Sequence, residues 1–379
     1  MVSLANRSKP LNVAILTYRD KSRIFRGNRD NFIDLLRTAR EEGVNAYIIA
    51  QDSLDPNQRG FVKGFTYNPK KKTWVRADQP FPQVVYNRIP YRKFEQLPTV
   101  QSLIQSIMKH PDIRLFNPAF FSKWSLFEWL NAVRSTRKHI PDTVKLNGPV
   151  DLAQFTRNHK TVFLKPIKGK AGKGIMKVLR TTKGYRLISP TAGGVTTSTY
   201  DSITKLYDEA KKHFGQHEYI AQQGISLVKS GGRPFDLRTL VQKDAQGIWR
   251  ISGVGARVAG ESSITTHVPR GGSIDNPVKL LTHAFGSVQG RSILREAKTT
   301  ALSLASQIEK GSGVTLGEMS MDLGVDKSGK LWFFEANSKP MKFDEPHIRK
   351  LSLRRLVRYW KFLHDYPQIR TKRRNRHAR

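Results

Sequence analysis

The segment from Thr315 to Asn337 constrains the fold more than any other. Thr315–Val325 and Lys330–Asn337 flank Asp326-Lys-Ser-Gly329, which predicts a β-hairpin. By period two, Met319, Met321, Leu323 and Val325 share one face, and Glu318, Ser320 and Asp322 share the other. On the second strand Glu335 and Asn337 also share a face. An otherwise apolar hairpin thus carries Asp322, Glu335 and Asn337 at interior positions, with Glu318 beside them. Buried carboxylates are costly unless paired or bound to metal. Oxygen donors without His or Cys suit Mg²⁺ bridging phosphates. Edge-strand acids paired with local Lys or Arg would show the same spacing, and spacing alone leaves both open.

A second cluster of chemistry precedes the hairpin. Val162-Phe-Leu-Lys165-Pro reads as a strand that presents a lysine. Lys168-Gly169-Lys-Ala-Gly172-Lys173-Gly174 follows, a turn in which three glycines let backbone N–H groups approach an anion. It is not a Walker A loop, because Ile175 follows Gly174 where Lys-Ser/Thr would be needed. A Gly-rich hairpin turn with solvated lysines fits the same residues. Farther on, Asp236 and Arg238 share a strand face and Arg257 lies on the next strand, an arrangement suited to clamping carboxylate or phosphate. The hydroxyl-rich loop from Ser262 to Gly272 is a weaker signal of the same kind. No HExxH, HxH or GxSxG pattern occurs, so no histidine or serine is assigned a catalytic role.

Strands predicted at Asn12–Thr17, Val44–Ala50, Gln83–Asn87 and Ile113–Phe116 alternate with helices at Asp30–Glu42 and Glu95–Lys109. Gly60 to Pro82 reads as a connection, so residues 1–116 are expected to form a small parallel-sheet domain. Residues 117–346 read as α+β, with one amphipathic helix over Trp124–Lys138 and strands at Thr161–Lys165, Ile175–Thr181, Gly184–Ser189, Phe235–Lys243 and Ile248–Ala259. Helices are expected at Asp201–His213 and Ser292–Lys310. The aromatics from Phe116 to Trp129 fall at helical spacing, which favours core packing. Residues 347–379 form a basic helix and tail with 12 Lys/Arg against one acid.

The net charge of +36 favours polyanionic partners and says nothing about fold. The absence of cysteine excludes disulfides, thiolate–zinc sites and a cysteine nucleophile. No run of 18 apolar residues spans a membrane, and no signal-peptide core opens the chain. A soluble, intracellular protein is expected.

Taken in order, these pieces resemble the ATP-grasp superfamily. More narrowly, Tyr86-Asn-Arg-Ile-Pro90-Tyr-Arg, Phe116-Asn-Pro-Ala-Phe-Phe-Ser-Lys-Trp124, Leu164-Lys-Pro166, Gly172-Lys-Gly-Ile175 and Phe235-Asp-Leu-Arg238 resemble its YheC/YheD branch, which is linked to endospore coats. The resemblance covers about residues 10–345. It implies an ATP-grasp fold behind a pre-ATP-grasp domain, with a lid over about 160–215. It implies ATP as ligand, held by Lys123, Lys165, the lid loop Lys168, Gly169, Gly172, Lys173 and Gly174, the hinge Glu218, Tyr219 and Ile220, and Asp236. Asp322, Glu335 and Asn337 would hold two Mg²⁺ ions, and Arg238 and Arg257 would neutralise the transferring phosphoryl group. The implied reaction is carboxylate–amine ligation through an acyl-phosphate, with unidentified carboxylate and amine substrates. An anionic polymer or spore-coat components are the expected partners, and the location is cytoplasmic or spore-associated. The chain departs from related ligases at His267, where Asn is common before a Gly-Gly loop, and at Lys339, which adds a cation after Asn337.

Overall fold

The computed structural model describes residues 10–20, 24–168, 173–191, 194–260, 272–343 and 345–365. The chain divides into two units. The first comprises residues 1–119, 242–248 and 341–379, and the second residues 120–241 and 249–340.

The first unit runs β1 (Asn12–Thr17), the short β2 (Arg19–Asp20) and β3 (Ile24–Phe25), α1 (Arg29–Glu41), β4 (Asn45–Ala50), β5 (Phe61–Asn68), β6 (Thr73–Pro80), β7 (Val84–Asn87), α2 (Arg92–Glu95), α3 (Pro98–Lys109) and β8 (Arg114–Phe116). Its sheet has the order β6-β5-β4-β1-β7-β8, and β4, β1, β7 and β8 are mutually parallel. Asn28 starts α1 by accepting a hydrogen bond from the Asn31 N–H, and Phe32, Leu35, Leu36 and Ala39 face the core at the expected spacing.

The connection expected over Gly60–Pro82 is instead an antiparallel hairpin, β5–β6, that widens the sheet. Its lysines cluster at the turn, where Lys72 has a positive φ, while Tyr67 and Trp74 pair across the strands. The basic turn masked two half-exposed strands that this cross-strand aromatic pair stabilises.

The second unit opens with α4 (Lys123–Asn131), α5 (Arg134–Arg137), β9 (Thr143–Leu146), α6 (Pro149–Asn158), β10 (Thr161–Pro166), β11 (Met176–Thr181), β12 (Gly184–Thr191), β13 (Gly194–Tyr200), α7 (Ile203–Lys212) and β14 (Tyr219–Gln223). The single helix expected over Trp124–Lys138 breaks at Val133, which adopts an extended conformation, and the Thr136 hydroxyl donates to the Leu130 carbonyl across the break. Strands β13-β12-β11-β10-β14-β9 form an antiparallel sheet in that order, covered by α6 and α7.

The unit continues with β15 (Lys229–Ser230), β16 (Arg233–Lys243), β17 (Trp249–Val258), β18 (Ser273–Asp275), α8 (Pro277–Phe285), α9 (Ser287–Ser312), β19 (Glu318–Val325) and β20 (Leu331–Asn337). Here the order is β18-β17-β16-β19-β20. Met319, Met321, Leu323 and Val325 face α9 and its Ile293, Ala297, Ala301 and Leu304, as the period-two reading requires.

The last element, α10 (Pro346–Asp365), belongs to the first unit. Its Leu356, Val357, Tyr359 and Trp360 join the core of the first sheet, and Arg349 donates to Asn31 and Asp34 at 2.6 Å each. Among the described residues no helix is long and apolar enough to cross a membrane.

Candidate functional site

The site lies within the second unit, where the β9–β14 sheet meets the β16–β20 sheet. On β10, Val162 and Leu164 point into the core of their own sheet, so alternation sends Phe163 and Lys165 to the opposite face. Lys165 stands opposite Ile220 in register, and its Nζ donates to Gln222 Oε1 at 2.5 Å. Lys123 enters the same space from the first turn of α4, and its Nζ lies 3.3 Å from Glu335 Oε1. Lys123, Lys165, Ile220, Gln222, Phe127, Ile140, Phe333 and Phe334 line one cavity of about 20 Å³, room for roughly one water.

Phe334 reaches that cavity because of a bulge. Asp322 pairs with Glu335 and Leu323 with Phe333, so Phe334 is the extra residue. Its ring lies over Gly324, where an added Cβ would clash with it and would also sit 2.7 Å from Leu227. A Gly324→Ala change should therefore push Phe334 out of the cavity and lower the Tm by several degrees, since overpacking costs about 1–3 kcal/mol. Thermal melting would check this, and an unchanged Tm would show that the ring is not held over Gly324.

The bulge leaves Asp322 opposite Glu335, and Ser320 opposite Asn337, on one face. Two arginines serve Asp322. Arg238 Nη1 lies 3.3 Å from its Oδ1 and Arg257 Nη2 2.7 Å from its Oδ2, while Arg238 also donates to the Ser320 hydroxyl. Arg257 makes a second, two-point contact with Asp236 at 3.1 and 3.2 Å. Burial alone would lower the Arg257 pKa. The charges of Asp322 and Asp236 outweigh it and hold the guanidinium above its ordinary value. Burial also pushes Lys165 down to about 8, helped by the charge of Lys123 and opposed by Glu335.

The donor set fits a hard cation. It offers side-chain oxygens from Asp322, Glu335 and Asn337, with no His or Cys. Among the described residues no three His, Cys, Asp or Glu side chains converge. Mg²⁺ characteristically takes one or two carboxylates and completes its shell with water and phosphate.

The residues singled out in the sequence are thus not all in one place. Lys123, Lys165 and Ile220 line the cavity and Glu335 is joined to it through Lys123, while Asp322 and Asn337 follow in register on the hairpin and Arg238 pairs with Asp322. Asp236 is buried behind Arg257 and serves to hold it. Glu218 is exposed, and its carbonyl accepts from the Ile167 N–H. Tyr219 faces the core of its own sheet, stacking on Phe214 at 4.0 Å and donating to the Gly174 carbonyl. Gly174 has a positive φ, and the Tyr219 hydroxyl lies 2.8 Å from where a Cβ would stand. Lys168 and Lys173 are exposed, whereas Gly169, Gly172 and the loop 262–271 lie outside the described residues. Gln222 and Phe334 were not singled out. Gln222 follows from carrying the period-two alternation on from Ile220, while Phe334 depends on a bulge that no sequence pattern marks.

The YheC/D like ATP-grasp family matches residues 112–363. The endospore coat-associated protein YheD of Bacillus subtilis is 29% identical over 347 residues, covering 89% of this chain and 75% of that protein. YheC of the same organism is 22% identical over 311 residues, covering 82% and 85%. Among solved structures, the VanG D-Ala:D-Ser ligase of Enterococcus faecalis has a TM-score of 0.55 at 12% identity, covering 94% of this chain and all of that one. The D-alanyl-alanine synthetase A of Vibrio cholerae has a TM-score of 0.53 at 12% identity, covering 93% and 96%. At that identity the likeness is one of fold.

Proposed function

Since the chain belongs to the YheC/D-like ATP-grasp family, we propose that it is an ATP- and Mg²⁺-dependent ligase joining a carboxylate to an amine. The observation that carries this reading is that two lysines, Lys123 and Lys165, line one cavity and that Lys123 Nζ lies 3.3 Å from Glu335, the register partner of Asp322. Cations beside acids are the pairing that a triphosphate and its metal would take up. Lys165 and Lys123 would bind phosphate oxygens, and the turn from Lys168 to Gly174 would cover them. Ile220 and Phe334 would flank the base. Asp322, Glu335 and Asn337 would hold Mg²⁺ as two ions, which when bound neutralises charge on the phosphates. Nucleotide entry requires Lys123 to leave Glu335, an exchange of partners that frees the carboxylate as the phosphates arrive.

In the reaction, a substrate carboxylate oxygen attacks the γ-phosphorus and ADP departs, giving an acyl-phosphate. The amine then attacks the acyl carbon, phosphate leaves, and the amine proton is lost to solvent or base. No protein nucleophile is required. The chain's contribution is positioning and charge, and Arg238, paired with Asp322, would neutralise the transferred group. Calorimetric ATP binding with and without Mg²⁺ tests the first half. Trapping an acyl-phosphate with hydroxylamine while screening carboxylates tests the second. Absence of Mg²⁺-dependent ATP binding would sink the reading.

The pH dependence follows from Lys165. Its folded pKa of about 8 lies below the ordinary 10.5, so the lysine loses its charge as pH rises through about 8. Nucleotide affinity should weaken across that window, and Lys165→Met should bind poorly and without this dependence. The unfolded chain holds the proton from pH 8 to 10.5, so this group's contribution to stability rises with pH there. Melting and binding curves should consequently move in opposite directions.

A second reading is favoured by the charge of +36. It makes the chain a coat-associated structural protein that binds an anionic polymer. Deleting residues 370–379 separates the two readings. Loss of salt-sensitive polyanion binding with unchanged ATP turnover assigns adhesion to the tail and chemistry to the cavity.

A further inference from the structure

The antiparallel sheet of the second unit ends in a strand unlike the other outer strands. An outer strand leaves a row of N–H and C=O groups unpaired, and proteins blunt such rows with charge, proline, bulges or short length. Here β8 and β18 have three residues each and β9 has four. β6 carries Arg76 and Asp78 and closes on Pro80, and β20 carries Glu335 and the bulge. β13 has none of these devices. Its seven residues, Gly194-Val-Thr-Thr-Ser-Thr-Tyr200, hold no charge and no proline, and they pair with β12 in unbroken register. Among the described residues β12 is its one strand neighbour, and residues 194–197 and 199 are exposed. Alternate residues of such a strand turn their backbone groups outward, and its valine and threonines favour the extended form.

Positive charge gathers at one end of this edge. Arg186 on β12 stands opposite Thr199, and alternation turns it away from Leu187 and the core of the sheet. Lys183 precedes Gly184, where an added Cβ would run into the Tyr200 carbonyl, so the β11–β12 turn lies against the end of β13. Both side chains are exposed, and neither makes an ion pair among the described residues. Lys205 on α7, by contrast, is matched by Asp201 at 2.7 Å. A second copy of the chain would set one charge of +36 against another. An acidic partner would instead meet the two cations that lack acids of their own.

We propose that β13 is a docking edge for an extended acidic segment of a partner protein, which adds as one further strand with its carboxylates toward Lys183 and Arg186. Main-chain hydrogen bonds along the edge supply affinity, and the two cations supply the preference for acid. The surface uses none of the residues assigned to nucleotide or metal, so this inference and the proposed ligase reading stand or fall separately.

The test is fluorescence anisotropy of the full-length protein with two labelled peptides of about eight residues, the length of an ordinary strand. Both alternate Thr and Val, one with a pair of Glu at its amino end and the other with the pair at its carboxyl end. One of them should bind. The first binding better means antiparallel addition, and the second means parallel addition. The same peptide with its amides N-methylated keeps its charge but cannot donate to the edge, and should bind about tenfold more weakly or worse. Lys183→Glu/Arg186→Glu should weaken the acidic peptide about tenfold or more. That variant should gain affinity for a peptide with Lys in place of Glu, which separates recognition from misfolding. Equal binding of the methylated peptide would mark charge attraction without strand pairing, and equal binding by the charge-reversed variant would place the peptide elsewhere. Either result overturns the proposal, as does failure of both peptides to bind at millimolar concentration, or a dimer of the chain that Thr197→Lys returns to monomer.

Discussion

Replacing Glu335 with Gln should reduce ATP turnover by about a hundredfold or more while leaving the protein folded. Preorganised charge at a phosphoryl-transfer site is commonly worth 10² to 10³ in rate. The substitution removes that charge and keeps the shape. The cost to stability is small, because the Glu335 side chain keeps 29% of its solvent exposure and its partner Lys123 keeps 12%. An ion pair so placed is worth about 1 kcal/mol or less. The opposite strand sets up a contrast. Asp322 anchors both Arg238 and Arg257, so Asp322→Asn should lose activity and melt lower together. ADP release read beside thermal melting distinguishes the two carboxylates. Turnover that survives Glu335→Gln would remove the metal role from this strand.

That contrast also shows how far the sequence can be read. The hairpin faces were legible because strand alternation is a local property, and Met319, Met321, Leu323 and Val325 all reach the α9 core. Lys165 was legible for the same reason. What could not be read was the choice of partner. Asp236 and Arg238 share a strand face, yet Asp236 turns to Arg257 and Arg238 to Asp322 and Ser320. That division is set by which strands adjoin β16, a long-range fact absent from local spacing. The β5–β6 hairpin was hidden by its lysine-rich turn, and the break at Val133 by helical spacing that continues across it.

The same partner choice yields the largest expected effect on stability. Asp236 is 2% exposed and Arg257 6%, so Asp236→Ala strips the guanidinium of a two-point partner where water cannot replace it. Leaving a buried charge half-compensated costs about 3–5 kcal/mol, enough to lower the Tm by on the order of 10 °C in a unit of this size. Asp322 remains to Arg257 but must also serve Arg238, so the lower half of that range is expected. If the loss is one of charge compensation, removing the charge should repair it. The double variant Asp236→Ala/Arg257→Met should recover most of the lost Tm, because an apolar pair avoids the desolvation cost of an ion pair. It should not recover turnover, since Asp322 would then lack one of its two arginines and be free to swing from the register that faces Glu335. Melting curves and ADP release across the four members of this cycle separate the two effects. A single Asp236→Ala variant that melts like wild type would show that Arg257 is not held as described, and a double variant that regains turnover would place Arg257 outside the reaction altogether.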